Sequence, residues 1–348
     1  MDNFKITAIG LMSGTSLDGL DVCCATFSKT DGRWRFAIDA ARGYDYPDDL
    51  KYRLGTGAQQ MSAHDFVAFH SEYGKFLGER VADFMKEYGI RPDIVASHGH
   101  TIFQIGDGAA SAAEARVPVV SDFRRLDIML GGQGAPLVPI GDRLLFADYD
   151  FCLNIGGFSN ISYECDGERQ AFDISPVNYV LNHYCRQRGL EFDRDGLIAR
   201  SGTVDAELLA SLDALPFYSQ TGAKSLGREW VEKEIFPMID SRGLEFADLL
   251  STFTEHAARQ VARVVCRVGK PHPTMLITGG GALNVYLVER IRELAGCEVK
   301  IPPRQIIEFK EALIFAFLGA LYMAGEASCL SSVTGAACDN IGGMLFKI

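Results

Sequence analysis

Residues 4–27 read FKITAIGLMSGTSLDGLDVCCATF. An apolar strand over 6–9 runs into a turn of small residues, 10–16, and a second strand follows over 20–25, a pattern that predicts a β-hairpin. Its loop exceeds the roughly two to five residues of common hairpins. It also brings Gly10, Gly14 and Gly19, interleaved with hydroxyls. Glycine backbone can turn its N–H groups inward and let a phosphate approach closely. A plain surface hairpin is the alternative. No lysine of the Walker type follows Gly14, which argues against a P-loop ATPase.

Residues 150–166, DFCLNIGGFSNISYECD, repeat the grammar: apolar strand, turn at Gly156 and Gly157, apolar strand, then a turn at Asp166 and Gly167. A third cluster, Thr278-Gly279-Gly280-Gly281-Ala282, follows the apolar run 275–277 and opens a helix that Asn284 can cap. Two strand–glycine–strand units and a strand–GGG–helix unit predict a duplicated α/β chain folded over one nucleotide. The hairpin turns would hold phosphates and the last turn would face the adenosine.

The 348 residues suffice for two α/β domains with real cores. A net charge of −11 argues against non-specific nucleic-acid binding, which needs a positive field. No signal-peptide pattern and no apolar run of spanning length occurs, so a cytoplasmic protein without a membrane partner is expected. The nine cysteines form no CxxC pair; Cys23, Cys24, Cys152, Cys165, Cys185 and Cys266 read as reduced core residues.

Helical spacing of Phe66, Phe69, Tyr73, Phe76, Leu77, Val81 and Phe84 predicts a helix over 62–88, with Ser62 as N-cap and Gly89 as stop. The strand 93–96 ends in Ser97-His98-Gly99-His100-Thr101, a carboxyl-end loop of the kind that meets ligands. Its histidines suit substrate hydrogen bonds or loop satisfaction better than a metal. Arg124 and Arg125 beside the glycine stretch 131–136, read as a hinge between halves, either grip a carboxylate or pair with Asp122 and Asp127. Asp173 ends a strand just before Pro176; it is placed for a general base, or for capping the next helix. Lys224, Ser225 and Arg228 lie on a polar loop suited to phosphate or sugar. The turn 193–196 has the opening of a calcium loop without its remaining ligands. Residues 246–268 form an amphipathic helix, and 310–324 an apolar one with Glu311 in its first turn, where it complements the helix dipole.

The segments MSGTSLDGLDV, SHGHT, SDFRRLDIMLGGQGAPLVP, LNIGGFSNIS, FDISPVN, AKSLGRE, TGGGALN and KEALIFAFLGALY follow one another over nearly the whole chain. In that order they resemble the anhydro-N-acetylmuramic acid kinases of the acetate kinase, sugar kinase, Hsp70 and actin superfamily. The resemblance implies a two-domain actin-like (ribonuclease H-like, duplicated) fold whose interdomain cleft closes over MgATP. Residues 1–135 with about 325–348 would form one domain and 136–324 the other. It further implies a homodimer and a role in recycling cell-wall peptidoglycan. The reaction implied is hydrolytic phosphorylation: water opens the 1,6-anhydro bridge and O6 takes the γ-phosphate.

By position, Gly14, Thr15, Ser16, Leu17, Asp18, Gly19, Leu20 and Asp21 match the family's ATP-binding stretch, and Asp173 matches its catalytic base. Asn154, Gly156, Gly157, Gly279, Gly280, Gly281 and Asn284 complete the nucleotide candidates, with Asp18 as the Mg²⁺ contact. His98, Arg124, Gln133, Lys224 and Glu311 are sugar-contact candidates by motif position. Three motifs depart from the family: its HGQT reads His98-Gly99-His100-Thr101, its DTGPxN reads Asp173-Ile174-Ser175-Pro176-Val177-Asn178, and its PKSTGRE reads Ala223-Lys224-Ser225-Leu226-Gly227-Arg228-Glu229. An ordinary amino-sugar or hexose kinase and a catalytically silent, ligand-sensing actin-like module are the rival readings.

Overall fold

The computed structural model describes residues 4–14, 17, 19–100 and 104–348, with backbone alone at 56 and 59. Thr15, Ser16 and Asp18, among the nucleotide and metal candidates, fall outside the described residues, as does Thr101. The chain forms two compact units, residues 1–145 with 309–348, and residues 146–308.

The strands in chain order are β1 (Phe4–Met12), β2 (Leu20–Thr30), β3 (Arg33–Tyr44), β4 (Ile94–Ser97), β5 (Val119–Ser121), β6 (Phe151–Ile155), β7 (Phe158–Cys165), β8 (Glu168–Pro176), β9 (Thr274–Thr278), β10 (Glu298–Lys300) and β11 (Met344–Phe346). In the first unit β1, β2 and β3 form an antiparallel meander, β4 lies parallel to β1, and β5 parallel to β4. β11 then closes antiparallel on β5. In the second unit β6, β7 and β8 repeat the meander, while β9 and β10 repeat the parallel pair. Counted from the meander edge, the sheets read β3-β2-β1-β4-β5 and β8-β7-β6-β9-β10, one topology used twice. This is the duplicated, actin-like arrangement. β4, an unbroken apolar run plus one serine, is buried throughout, as an internal parallel strand must be.

The helix Ala63–Tyr88 starts where expected: Ser62 Oγ accepts from Asp65 N at 3.1 Å, and Gly89 ends it at φ 64°. The helix Phe246–Val268 lays its apolar stripe on the second core. Asn284 caps the helix Val285–Ala295, its Oδ1 accepting from Leu287 N at 3.0 Å.

Five expectations need correction. Gly10 is not part of a turn but lies in β1; a Cβ there would meet Ala312 O at 1.9 Å and Ala316 N at 2.3 Å, so the glycine admits the helix Arg304–Ala324 against the strand. That helix begins just after Pro303 rather than at Lys310. The glycine stretch 131–136 is no hinge between units. It is pinned inside the first unit, where buried Asp127 accepts from Gly134 N at 2.8 Å and Gln133 N donates to Thr334 O at 2.9 Å. Cys165, at the β7–β8 turn, and Cys266, off the apolar stripe of its helix, are exposed rather than core residues. The units divide at 145/146 and within the helix Arg304–Ala324, away from the expected boundaries. The cause is packing: Gly141 meets Ile314, and buried Lys310 pairs with buried Asp142 at 2.7 Å, so both segments belong to the first core.

Candidate active site

Asp173 owes its position to an irregularity in β8. The β7–β8 ladder pairs Ser159 with Ser175 and Asn160 with Asp173, so Ile174 is an extra residue. In a regular strand Asp173 and Ser175 would face the same side. The bulge separates them: Ser175 follows buried Ser159 inward, while Asp173 follows exposed Asn160 outward. Asp173 does not cap the next helix, whose N-cap is Val177. Instead its Oδ2 accepts from Leu226 N at 2.8 Å, and its own N donates to Lys224 O at 3.0 Å. The polar loop singled out in the sequence thus clamps Asp173 through its backbone. Partial burial raises the Asp173 carboxyl above the ordinary carboxylate range, opposed by the Leu226 hydrogen bond.

Lys224 itself turns inward. Its ammonium sits 4.4 Å from the Phe217 ring centre and donates to Phe217 O at 3.2 Å, and desolvation lowers its pKa. Asn154, in β6, stands across from Asn160, so Asn154, Asn160 and Asp173 form one cross-strand row. Asn160 was missed in the sequence, because only the register reveals that it shares a face with Asp173.

Gly279 and Gly281 serve close packing: a Cβ on Gly279 would lie 2.6 Å from Asn154 Oδ1, and one on Gly281 would lie 2.2 Å from Ile155 Cγ2. Gly156 spends its N–H on Phe158 O, and the Gly157 carbonyl accepts from Val177 N and Tyr179 N. Gly280 and Asn284 line a cavity of about 880 Å³ in the second unit, together with Arg194, Asp195 and Arg292. The charged turn 193–196 therefore belongs to this cavity. Its signal was Gly196, at φ 69°, whose missing Cβ makes room for Asn284 Oδ1.

In the first unit a cavity of about 260 Å³ gathers Gly14, Gly19, Asp21 and Glu311. Leu20 is buried and Leu17 packs on the core, so neither leucine side chain is available to a ligand. Burial raises the Glu311 carboxyl against the opposing pull of Lys310 and Arg124. His98 and Arg124 are brought together: Arg124 Nη2 lies 2.8 Å from His98 Nε2, while His98 Nδ1 is 3.0 Å from Gly99 O. The guanidinium can only donate, so His98 carries its proton on Nδ1 and gives it to Gly99 O. Burial, with Arg124 beside it, pushes the His98 pKa down to about 3, so the ring is neutral. His98 therefore orients Arg124, whose Nη1 also donates to Gly134 O at 2.6 Å. Asp122 rather than Asp127 pairs with Arg125, at 3.1 Å. Gln133 is exposed, on the loop pinned to Thr334. Among the described residues no group of three or more His, Cys, Asp or Glu side chains forms a metal cage.

The anhydro-N-acetylmuramic acid kinase family matches residues 6–347. The chain belongs to that family. Anhydro-N-acetylmuramic acid kinases of Xanthomonas oryzae pv. oryzae and Xanthomonas campestris pv. campestris are each 33% identical over 364 residues, covering 97% of this chain and 96% of the relative. A solved (R)-2-hydroxyglutaryl-CoA dehydratase component A from Acidaminococcus fermentans covers 92% of this chain and all of its own at 15% identity and a TM-score of 0.47. The fold assignment rests on the repeated sheet order instead. As a member of this kinase family the chain is a phosphotransferase with an alcohol acceptor. Among the described residues no helix is long and apolar enough to cross a membrane.

Proposed function

We propose that this chain converts 1,6-anhydro-N-acetylmuramic acid, water and ATP into N-acetylmuramic acid 6-phosphate and ADP, in the recycling of peptidoglycan. The observation that carries the mechanism is Asp173: a half-buried carboxylate with a raised pKa, turned outward by a bulge and clamped by two backbone hydrogen bonds. Oδ2 is engaged by Leu226 N, so Oδ1 is the oxygen that takes the proton. Water forms its bond to the anomeric carbon as it gives that proton to Asp173, in the manner of an inverting glycosidase base. The bond from the anomeric carbon to O6 breaks, O6 bonds to the γ-phosphorus, and the β–γ bridge leaves with ADP. O6 is captured by phosphorus, so no separate acid is needed.

Phosphoryl transfer asks the protein mainly for placement and charge neutralisation. Gly14 and Gly19 offer backbone to the phosphates, and the cavity at Gly280, Asn284, Arg194 and Arg292 suits the adenosine end. Mg²⁺ takes one or two carboxylates and keeps phosphate oxygens and waters as its other ligands. Asp21 and Glu311, hard oxygen donors on the cavity with Gly14, fit that demand, and Asp18 stands three residues before Asp21. When bound, the ion supplies charge neutralisation to the phosphates. Arg124, oriented by His98, is placed for an anionic or hydroxyl group of the sugar. The chain acts as a homodimer in this reading, a state that sedimentation tests.

The test compares ADP release with the anhydro-sugar and with free N-acetylmuramic acid. The proposal requires one ADP per anhydro-sugar consumed and little or none with the free sugar. Preferential phosphorylation of the free sugar would make the chain an ordinary amino-sugar kinase.

A further inference from the structure

The first unit contains a buried polar chain that the reaction above leaves unused. Ser13 Oγ lies 2.7 Å from His100 Nδ1, Tyr46 OH donates to Ser13 Oγ at 2.6 Å, and the hydroxyls of Tyr46 and Tyr73 are 2.9 Å apart. Ser13 and Tyr73 are fully buried, and His100 and Tyr46 nearly so. The protons on this chain can be placed. Tyr46 gives its single hydroxyl proton to Ser13, so Tyr73 donates to Tyr46. The neutral His100 ring gives its one proton to the Leu54 carbonyl, which leaves Nδ1 to accept from the Ser13 hydroxyl. Every donor on the chain has one acceptor, in a single sense from Tyr73 to Leu54. Burial lowers the His100 pKa, which keeps the ring neutral and its Nδ1 free to accept.

The same histidine turn is tied to the strand that leads into Ser13: His98 N donates to Leu11 O at 3.0 Å. Four buried polar side chains offer little net stability over apolar ones of the same shape. What such a fully satisfied network provides is a fixed geometry. Here the fixed point is Ser13, whose next residue, Gly14, lines the cavity with Gly19, Asp21 and Glu311. His100 is also where the sequence departs from the HGQT of the family it resembles, so the contact belongs to this chain's own residue.

We propose that His100 is a positioning residue for the nucleotide-gripping turn, locking the Ser13 side chain and through it the backbone at Gly14. The inference rests on the reading of that turn as the phosphate grip. Without an acceptor at Nδ1 the Ser13 hydroxyl keeps only the bond from Tyr46, and the turn samples orientations that do not fit the phosphates. The loss falls on nucleotide binding and not on the sugar.

The test uses the full chain and reads KM for MgATP, KM for the anhydro-sugar, kcat and the unfolding temperature. His100→Leu keeps most of the bulk and removes the acceptor; His100→Asn puts an amide oxygen near the place of Nδ1. Ser13→Ala removes one buried oxygen and decides the matter should His100→Leu not fold. We expect His100→Leu and Ser13→Ala each to raise the nucleotide KM by about tenfold, with the sugar KM within about twofold. The double variant should be no worse than Ser13→Ala alone, because that substitution already removes the bond to His100. His100→Asn should recover most of the loss. Equal rises in both KM values, or no recovery with Asn, would reduce His100 to a packing residue and overturn the proposal. No rise in either KM would overturn it while leaving the nucleotide assignment of the turn intact. A rise confined to the sugar KM would show instead that the turn is not the phosphate grip.

Discussion

At Asp173 the demands of chemistry and of stability oppose each other. Its carboxyl is raised because the charged form is poorly solvated, with one backbone N–H in partial compensation. A group whose folded pKa lies above its unfolded value gives stability that is present at low pH and lost as pH rises through the raised value. The ionised Asp173 therefore costs stability at neutral pH. Asp173→Asn, which keeps an oxygen for Leu226 N, should raise the unfolding temperature at neutral pH and leave it unchanged in acid. The same variant should lower kcat by about a thousandfold or more, with nucleotide affinity retained. Near-normal turnover would remove Asp173 from the mechanism. In the native enzyme kcat/KM should fall on the acid side with an inflection above the ordinary carboxylate range, and the variant's residual activity should lack that limb. His98 teaches a related lesson. Its motif position suggested a sugar contact, yet both ring nitrogens are committed inside the protein, one of them to Arg124.

Among the elements, strands and long helices were legible from period and caps, as at Ser62, Gly89 and Asn284. What stayed hidden depends on partners distant in sequence. The bulge at Ile174 leaves no mark on an otherwise ordinary apolar-polar run, yet it decides which face Asp173 takes. Gly10 looked like loop material because glycine in a strand has no local reason; its reason is the carbonyl of Ala312. Since Gly10 does not need a positive φ, its requirement is purely steric. Gly10→Ala should destabilise the first unit by about 3 kcal/mol or more, because the obstacle is backbone that cannot rotate away. Gly32→Ala is a poor control, since Gly32 sits at φ 75°; Gly280→Ala, with only Asn178 Nδ2 at 3.9 Å, is the sterically open comparison. Denaturant unfolding measures both, and a Gly10→Ala midpoint equal to that of the parent would contradict the packing assigned here. The division within the helix Arg304–Ala324 was hidden for a like reason: the helix runs unbroken across it, and only its packing partners change.

For the whole molecule, the repeated strand–glycine–strand grammar pointed to a duplication, and the two sheets share one order. The repeat was readable because both meanders begin with an apolar strand ending at a glycine-bearing segment, β1 before Gly14 and β6 before Gly156. Nucleotide binding to the folded chain should be felt as global stability. At about one hundred times its Kd, a non-hydrolysable ATP analogue with Mg²⁺ should stabilise the native state by about 2.7 kcal/mol, read as a rise in unfolding temperature. No rise at saturation would contradict the nucleotide reading. The central claim is that one carboxylate directs water to the anomeric carbon while the released O6 takes the phosphoryl group. The mass of the sugar product formed from the anhydro-sugar and MgATP in water labelled with heavy oxygen tests it most directly. The account predicts a single heavy oxygen on the anomeric carbon together with one added phosphate. A phosphorylated product whose anomeric oxygen is unlabelled, or whose bridge is intact, would contradict it.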